Sequence, residues 1–348
     1  MASKRRRRRR NRGPLILLCF SVTLLLIAIG LRLFFQKPQV DDTPDTPPDD
    51  TRQEAVTGPA GGENTDPSGT ATADPVRTKA RRKDVYTILV LGVDNGNGCS
   101  DTNILVTFDA GADTINCVSI PRDSGFYVNG KAHKINYAYN RGGTDLLVQS
   151  LSDGLGIPID YTVEVDLEGF VKLVDEIGGV EFNVPINMDY DDPLQDLSIH
   201  LKKGVQRLNG ENALNVVRFR HNNDGTGYGT EDLGRIGTQQ AFLKAVVKQI
   251  VSEFKSLSPL DVPGRIADFA RLFDRYVTMD LSVGNLGWLG TEAISMGTDA
   301  ITFATLPGEW SSSRSLYLLD ADAVLELVNS ALSPYVEPRI AEDLDLVQ

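Results

Sequence analysis

Cysteine is scarce in this sequence, and its positions argue against a disulfide-stabilised fold. Only Cys19, Cys99 and Cys117 occur in the 348 residues. Cys19 lies in a long apolar run near the N-terminus, whereas Cys99 and Cys117 are separated by most of a predicted strand, roughly 20 Å at about 3.3 Å per residue. Because a disulfide requires Cα atoms within about 7 Å, we expect none, and the folded domain must rely on its own apolar core.

The sequence also lacks the features of a zinc site and of a nucleic-acid surface. The three histidines have no metal-ligand spacing, and we interpret them as ordinary surface or structural residues: His133, His200 and His221. Acidic residues outnumber basic ones by 47 to 35, and eight of the basic residues precede Pro14. The rest of the chain is therefore strongly acidic, which argues against extended contact with nucleic acid.

A long apolar run follows the basic N-terminal segment. Residues 14–31 carry no charge, and 33–35 extend the run past Arg32, which gives enough length to span a bilayer with Arg32 at the interface. A secretory signal peptide is the alternative, but its apolar core is usually shorter and ends in a small-residue cleavage site, which does not follow Phe35. The sequence thus predicts an uncleaved transmembrane signal-anchor helix at 14–35, a cytoplasmic tail at 1–13, and an extracellular remainder in a single-pass cell-membrane protein.

The rest of the chain divides into a linker, a domain and a tail. Residues 36–83 are rich in Pro, Thr, Asp and Gly, so we expect a flexible extracellular linker. Predicted strands and helices alternate over 84–335, which indicates a single three-layer α/β/α domain, and an early hairpin makes its central sheet mixed. Residues 336–348 are expected to form a C-terminal tail.

Three carboxylates are predicted at one end of that sheet. Three consecutive strands are expected at Val85–Val93, Ile104–Phe108 and Ile115–Ile120. Because the chain reverses between them, Asp94, Asp101 and Asp123 meet at one end beside Arg122, with Asp101 roughly opposite Asp123. Clustered carboxylates repel one another unless a positive charge lies among them, and Mg²⁺, or Mn²⁺ in its place, takes oxygen ligands of this kind. A solvated polar sheet edge is the alternative interpretation.

The second half of the domain supplies basic residues and a long helix. We expect an acidic loop with one short extended piece over 185–203, and then a short helix capped by Asn209 that leads into Arg218 and Arg220. A long amphipathic helix follows at Thr238–Phe254, and one apolar stripe recurs along it at every fourth residue: Phe242, Val246 and Ile250. Such a stripe lines a lipid tunnel or packs in the core.

Short motifs in a fixed order resemble those of the LytR–CpsA–Psr family of bacterial cell-envelope proteins. They are LGVD (91–94), SDT (100–102), SIPRD (119–123), KINYAY (134–139), LNGENAL (208–214), RFR (218–220), DLGR (232–235), Gln239-Gln240 and LPG (306–308). The resemblance covers about 84–335. Each motif alone is weak, but their joint order is specific, and the family's layout of anchor, linker and domain also agrees.

The resemblance implies a transferase that moves a glycopolymer, such as a teichoic acid or capsule, from a polyprenyl-pyrophosphate carrier to peptidoglycan. It implies Mg²⁺ at Asp94 and Asp101, with Asp123 either a third ligand or a partner that holds Arg122. Catalytic roles would belong to Asp101, Arg122, Arg218 and Arg220. Substrate contacts would come from Arg122, Lys134, Arg218, Arg220, Arg235 and Gln239. The lipid tail would lie in an apolar tunnel between sheet and helices, for which Phe242, Val246 and Ile250 are candidates.

Two departures from the family pattern keep other functions open. Cys99 stands where the family usually has an arginine two residues before the aspartate of SDT, and Thr238 stands where it usually has one before the glutamine pair. Two cations that would bind pyrophosphate are therefore missing, which favours a non-catalytic polyprenyl-phosphate binder that regulates envelope assembly. A hydrolase that releases the polymer to water is the third possibility.

Overall fold

The structure is a computed structural model that describes residues 36–40, 80–94, 98–194, 197–228, 232–258 and 261–347. The predicted membrane helix at 14–35 and most of the predicted linker lie outside these residues. Among the helices that the structure describes, none combines the length and the apolar character needed to cross a bilayer.

The described part of the chain alternates strands and helices. In chain order the strands are β1 (Val85–Asp94), β2 (Cys99–Asp109), β3 (Thr114–Ile120), β4 (Gly125–Val128), β5 (Lys131–Lys134), β6 (Tyr161–Asp166), β7 (Val180–Val184), β8 (Met188–Asp192), β9 (Leu197–Leu201), β10 (Gly204–Leu208), β11 (Val277–Met279), β12 (Ile301–Thr305), β13 (Gly308–Ser311) and β14 (Leu316–Leu319). The helices are α1 (Ile135–Leu155), α2 (Leu167–Glu176), α3 (Gly210–Arg218), α4 (Asp232–Ser256), α5 (Val262–Tyr276), α6 (Val283–Met296) and α7 (Ala321–Leu327).

A six-stranded mixed sheet occupies the middle of the domain, with the strand order β11-β6-β1-β2-β3-β12. β1, β2 and β3 are joined by antiparallel pairing, whereas β6 pairs with β1 and β12 pairs with β3 in parallel. This arrangement confirms the predicted α/β domain with a mixed central sheet. It also brings the ends of β1, β3, β6 and β12 and the start of β2 to the same edge.

The two faces of the sheet are covered to different extents. Side chains alternate between faces along each strand. On one face, here called the α1 face, Leu89 and Leu105 are fully buried against α1 and α7. On the other, the α6 face, Val90, Ile104 and Val106 pack towards α5 and α6 but are only partly buried. The α6 face is therefore apolar without being completely closed.

A second, smaller core lies beside the sheet. The two-stranded ribbon of β7 and β10 packs with α2, α3 and α4 around buried apolar side chains such as Phe182, Val216 and Phe242. Within the stretch 185–203, expected to be an acidic loop with one short extended piece, the structure has instead a paired hairpin of β8 and β9. Its inward residues Met188 and Ile199 are buried in the same core, which explains why the segment is ordered.

The first residues of the predicted flexible linker are packed onto the domain. Gln36 N–H donates to the carbonyl of Gly284 at 3.1 Å, and the Lys37 ammonium lies 5.6 Å from the centroid of Trp288. Val40 contacts the apolar cluster of the α6 face. Expecting flexibility over all of 36–83 was wrong for 36–40, because these residues find apolar and aromatic partners that local composition does not reveal.

The predicted C-terminal tail is also part of the folded domain as far as the structure describes it. Leu346 and Val347 are buried, and Leu346 forms a β-bridge with Phe126. Asp345 N–H donates to the carbonyl of Gly154 at 3.1 Å. The domain therefore extends beyond the predicted boundary at 335, because the last apolar residues cover the end of the α1-face core.

Candidate active site

The polar end of the sheet is set by the register of the β2–β3 hairpin. Asn103 pairs with Ile120 in the ladder, and extending that register places Asp101 opposite Arg122. The sequence had predicted Asp101 opposite Asp123. The one-residue difference arises because the loop between the paired residues Asp109 and Thr114 contains four residues, 110–113, so the hairpin is centred between two residues instead of on one. Side chains of opposite charge therefore face each other at this end.

A β-bulge lies at the start of β2. Gly92 pairs with Thr102 and Val93 pairs with Ser100, so Asp101 is an extra residue between two consecutive pairs. Bulges of this kind twist a strand and redirect a side chain, and they are common next to active sites. The Asp101 side chain is 49% exposed, whereas its neighbour Ser100 is buried. The bulge therefore presents a carboxylate to solvent at the edge of an otherwise buried sheet.

Two ion pairs organise the charged residues at this edge. Arg122 Nη1 donates to Asp101 Oδ1 at 2.5 Å. Lys134 Nζ lies 2.9 Å from Asp123 Oδ1. Asp123, for which the sequence left open the roles of metal ligand and partner of Arg122, pairs here with Lys134. The two cations and the two carboxylates nevertheless lie side by side.

The RFR motif lies at the end of α3, where both arginines had been expected to follow the helix, but only Arg220 lies past it. Asn209 caps this helix by accepting a hydrogen bond from Asn212 N–H, and Arg218 is its last residue. Phe219 has extended backbone angles and is buried, whereas Arg220 is exposed. The buried phenylalanine fixes the segment between the two arginines, and its extended backbone allows both guanidiniums to project to the same side.

Helix α4 adds Arg235 and Gln239 and is tied to the RFR segment. Gln239 Nε2 donates to the carbonyl of Val217 at 2.9 Å, so this residue contacts the last turn of α3. Arg235 is only 8% exposed. Burial raises the pKa of Tyr228, while the nearby Thr238 hydroxyl and the charge of Arg235 oppose this rise. Arg235, Thr238 and Tyr228 therefore lie close together at the start of α4.

Gln240 is a positioning residue that the sequence reasoning missed. Its Nε2 donates to the carbonyl of Ala304 at 2.8 Å, to Thr305 Oγ1 at 3.0 Å and to Ser119 Oγ at 3.2 Å. Ala304 and Thr305 lie at the end of β12, and Ser119 lies at the end of β3, three residues before Arg122. Gln240 thus holds α4 beside the sheet edge that carries the Arg122–Asp101 pair. Its place in the Gln239-Gln240 motif was the available signal.

Glu164 is a second residue that was not predicted. It lies on β6 and accepts hydrogen bonds from Tyr139 Oη at 2.8 Å and from Thr144 Oγ1. Burial and this carboxylate raise the pKa of Tyr139 to about 12. A glutamate between two valines of a strand was the available signal, since an acid in that context needs a partner.

The predicted lipid-lining residues pack in the small core. Phe242 is 1% exposed and its ring lies 5.4 Å from that of Phe182, and Val246 and Ile250 contact the same cluster. An open cleft of about 730 Å³ runs along a different face of α4, lined by residues that include Thr238, Ala241, Ala245, Lys248 and Arg207. Of the two environments considered for the stripe, the structure therefore shows the packed core, which periodicity alone cannot distinguish from a lipid-lined face.

The predicted metal ligands are only partly described. Asp94 ends β1 opposite Cys99, but both side chains lie outside the described atoms. The donor chemistry at this edge fits Mg²⁺, because Asp101 offers an exposed carboxylate on the strand next to Asp94. Elsewhere in the described chain, three exposed side chains lie close enough together to share a metal ion: Asp189, Asp191 and His200. The sequence analysis interprets His200 as an ordinary surface or structural histidine.

Comparison with known sequences finds a matching family profile and several similar proteins. A profile of the LytR_cpsA_psr family matches residues 57–332. TagV of Bacillus subtilis, named a polyisoprenyl-teichoic acid–peptidoglycan teichoic acid transferase, is 35% identical over 181 residues, which are 49% of this chain and 45% of TagV. Regulatory protein MsrR of Staphylococcus aureus is 37% identical over 169 residues, 47% of this chain and 49% of MsrR. The chain thus spans about half the length of the curated relatives it matches.

Solved structures match the fold over a larger part of the chain. The crystal structure of B. subtilis TagV aligns with a TM-score of 0.58 and 27% identity, over 77% of this chain and all of that one. The structure of TagT bound to LI-WTA aligns with a TM-score of 0.53 and 25% identity, over 70% of this chain and 88% of that one. Because the profile spans every strand of the central sheet and the fold recurs in these structures, the protein belongs to the LytR–CpsA–Psr family.

Proposed function

We propose that this protein is a membrane-anchored, Mg²⁺-dependent phosphotransferase that moves a glycopolymer of the teichoic acid or capsule type from a polyprenyl-pyrophosphate carrier to peptidoglycan. The observation that carries the proposal is the Arg122–Asp101 pair on a bulged sheet edge, with α4 and its Arg235 held beside it by Gln240. Such an edge suits a diphosphate, since guanidiniums bind phosphate oxygens through paired hydrogen bonds.

The reaction is a substitution at the phosphorus that bears the sugar. A hydroxyl oxygen of peptidoglycan forms a new bond to that phosphorus, and the bridging P–O bond to the second phosphate breaks. Polyprenyl monophosphate leaves with the electron pair of the broken bond, and the hydroxyl proton passes to a water molecule at this exposed edge. The product is a phosphodiester between polymer and peptidoglycan. Catalysis of this kind depends mainly on positioning and on stabilising negative charge.

The basic residues divide into two groups around the diphosphate. Arg122 and Lys134 would approach from the sheet edge, each already oriented by a carboxylate partner. Arg218, Arg220 and Arg235 would approach from α3 and α4. A guanidinium held by an ion pair loses little side-chain freedom when it binds, which supports Arg122 as the cation that contacts the bridging or leaving oxygen.

A divalent cation would be held by Asp94 and Asp101, with Asp123 as a further candidate. When bound, Mg²⁺ neutralises phosphate charge and favours departure of the leaving group. Asp101 has one carboxylate oxygen on Arg122, and its exposed position leaves the other oxygen accessible. Carboxylate oxygens are among the ligands that Mg²⁺ prefers.

The lipid part of the carrier would lie against the α6 face of the sheet. There Val90, Ile104 and Val106 form an apolar surface that α5 and α6 leave partly open. This surface replaces the stripe of Phe242 as the candidate wall of a lipid tunnel. It leads along the strands to the same edge at which the charged residues gather.

Membrane anchoring by residues 14–35 remains a proposal from the sequence. The contact of 36–40 with α6 supports a short connection between anchor and domain. Gln39 accepts a hydrogen bond from Tyr161 at the start of β6, which is the sheet end opposite to the candidate site. The site would then face away from the membrane, towards the wall. N-terminal sequencing of membrane-extracted protein tests retention, because a start after residue 35 contradicts it.

One assay separates transfer from the alternatives. Full-length protein in detergent is supplied with a polyprenyl-pyrophosphate oligosaccharide and Mg²⁺, with and without peptidoglycan. Sugar attached to peptidoglycan supports the proposal, and sugar phosphate released to water would identify a hydrolase. Tight binding without either product would identify a regulatory binder. The regulatory binder is favoured by Thr238. Its hydroxyl donates to the carbonyl of Gly234, at a position where the family pattern usually has an arginine.

A further inference from the structure

Trp310 is an exposed aromatic side chain on β13. It is 53% exposed, whereas the other tryptophan of the chain, Trp288, packs edge-on against Tyr86 and contacts Phe108. Leaving this much indole surface in water forfeits the stabilisation that burial would provide. A ligand that covers the ring would recover that stabilisation.

The position of Trp310 connects it to the candidate site. Trp310 pairs with Tyr317 in the β13–β14 ribbon, and Tyr317 N–H donates to the carbonyl of Asp123 at 2.9 Å. Lys134 Nζ lies 5.4 Å from the centroid of the Trp310 ring and 2.9 Å from Asp123 Oδ1. Asp123 follows Arg122 directly. The Trp310 ring therefore lies near Arg122. The Tyr317–Asp123 backbone hydrogen bond holds the ribbon there, and the Lys134 ammonium lies between the ring and the Asp123 carboxylate.

The chemistry of this corner selects a particular kind of ligand. A partner must offer an apolar face to the indole and polar groups to the nearby ammonium and carboxylate. A pyranose ring has this character, since its C–H bonds gather on one face and its hydroxyls lie around the rim. Those C–H bonds carry slight positive charge and are attracted to the electron-rich face of an aromatic ring. Because the Lys134 ammonium lies over one face of the indole, the sugar would stack on the other face. Its rim hydroxyls would then accept from Lys134 or donate to Asp123 past the edge of the ring.

We propose that Trp310 is a sugar-stacking residue that holds a pyranose ring beside the diphosphate. The inference rests on the proposed function, because it assumes that Arg122 and Lys134 bind the phosphates. The ring belongs either to the polymer on the carrier or to the peptidoglycan acceptor, since both present sugars at the reacting phosphorus. A structural role, in which Trp310 only holds Lys134, makes a different prediction: it affects sugar-bearing and sugar-free ligands equally.

The test compares three ligands with full-length wild-type protein, Trp310→Ala and Trp310→Phe. The ligands are sugar-free polyprenyl pyrophosphate, the same carrier with an attached oligosaccharide, and a soluble peptidoglycan fragment released by a muramidase. Trp310→Ala should weaken binding of a sugar-bearing ligand roughly tenfold, which corresponds to about 1.4 kcal/mol. Trp310→Phe keeps an aromatic ring and should retain most of the wild-type affinity. Binding of sugar-free carrier should stay unchanged. A loss for the oligosaccharide carrier assigns the ring to the donor, and a loss for the fragment assigns it to the acceptor.

A spectroscopic readout makes the test independent of the phosphates. In a Trp288→Phe variant all tryptophan emission comes from Trp310, and sugar binding should shift that emission to shorter wavelength. Equal affinity of all variants for every ligand, or an equal loss for sugar-free carrier, overturns the inference. If the wild-type protein fails to bind sugar-free carrier, the proposed function is contradicted instead. The emission response to the peptidoglycan fragment and to free oligosaccharide then still decides the role of Trp310.

Discussion

Arg122 and Asp101 form an ion pair across the open end of the β2–β3 hairpin, with Nη1 2.5 Å from Oδ1. The hairpin register makes them opposite neighbours, and the bulge at Asp101 turns its carboxylate outward. The pair neutralises one of the carboxylates that would otherwise repel each other at this edge. It also holds the guanidinium in one orientation before any ligand arrives.

Replacing Arg122 by lysine should slow polymer transfer. The change keeps the positive charge but removes the planar fork that binds two phosphate oxygens at once. We expect the initial rate to fall about 10- to 150-fold, the range that corresponds to roughly 1.5–3 kcal/mol for a charge-assisted hydrogen bond. Arg271→Lys is the matched control, because Arg271 is exposed on α5 and forms an ion pair with Asp268, one turn away on the same helix. An unchanged rate in Arg122→Lys would exclude the proposed phosphate contact.

Asp101→Asn should abolish the stabilisation that Mg²⁺ provides. A ligand that binds the folded state raises the melting temperature, and the substitution removes the charge that would bind the cation. The measurement is the difference in melting temperature with and without Mg²⁺, so any lower baseline from the lost Arg122 pair does not affect it. Asp113→Asn is the control at the other end of the hairpin, where φ is 53° and asparagine is tolerated. A rise that survives in Asp101→Asn would place the metal elsewhere.

Restoring the missing cations should tighten binding of the carrier. Thr238 is 7% exposed and lines the open cleft along α4, so an arginine side chain at this position has space to extend into. For Thr238→Arg and for Cys99→Arg we expect affinity for polyprenyl pyrophosphate to rise about tenfold or more, since each adds roughly 1.5–3 kcal/mol of charge-assisted hydrogen bonding. Calorimetric titration against polyprenyl pyrophosphate and polyprenyl alcohol measures this, and the alcohol should show no gain. Unchanged pyrophosphate affinity in both variants would mean that the site has rearranged around other partners.

Phe242→Ala should destabilise the protein without specifically removing lipid binding. The side chain is buried between Phe170 and Phe182, so truncation leaves a cavity and should lower the free energy of unfolding by about 3–5 kcal/mol. Urea denaturation followed by circular dichroism measures the loss, and Phe242→Leu should cost much less. Normal stability combined with lost carrier binding would instead support the original assignment of Phe242 to a lipid pocket.

Local sequence signals predicted the central elements of this fold correctly. The apolar runs that became β1, β2 and β3 are long and rich in β-branched residues, and they pack on both faces. The cap at Asn209 follows from the local chemistry of a single residue. These features depend on neighbours in the chain, which is why one sequence is enough to find them.

Long-range features were less accessible. A difference of one residue in the length of the β2–β3 loop changes the hairpin register, and the register decides whether Asp101 faces Asp123 or Arg122. The docking of 36–40 depends on partners far away in the chain. The β8–β9 hairpin is local in its pairing, but the core on which Met188 and Ile199 pack is built largely from other parts of the chain. The same limit explains the Phe242 stripe, since its period defines a helix face but the surface that covers it is set by the tertiary fold.

The most direct test of the transferase proposal follows one phosphorus atom. Full-length protein is incubated with Mg²⁺, peptidoglycan and a carrier-linked oligosaccharide in which only the phosphorus bonded to the sugar is radiolabelled. The account predicts that the label becomes attached to peptidoglycan, is released with muramidase fragments, and appears together with an equal amount of unlabelled polyprenyl monophosphate. Label that stays on the lipid, or that appears only in free sugar phosphate, would contradict transfer to peptidoglycan.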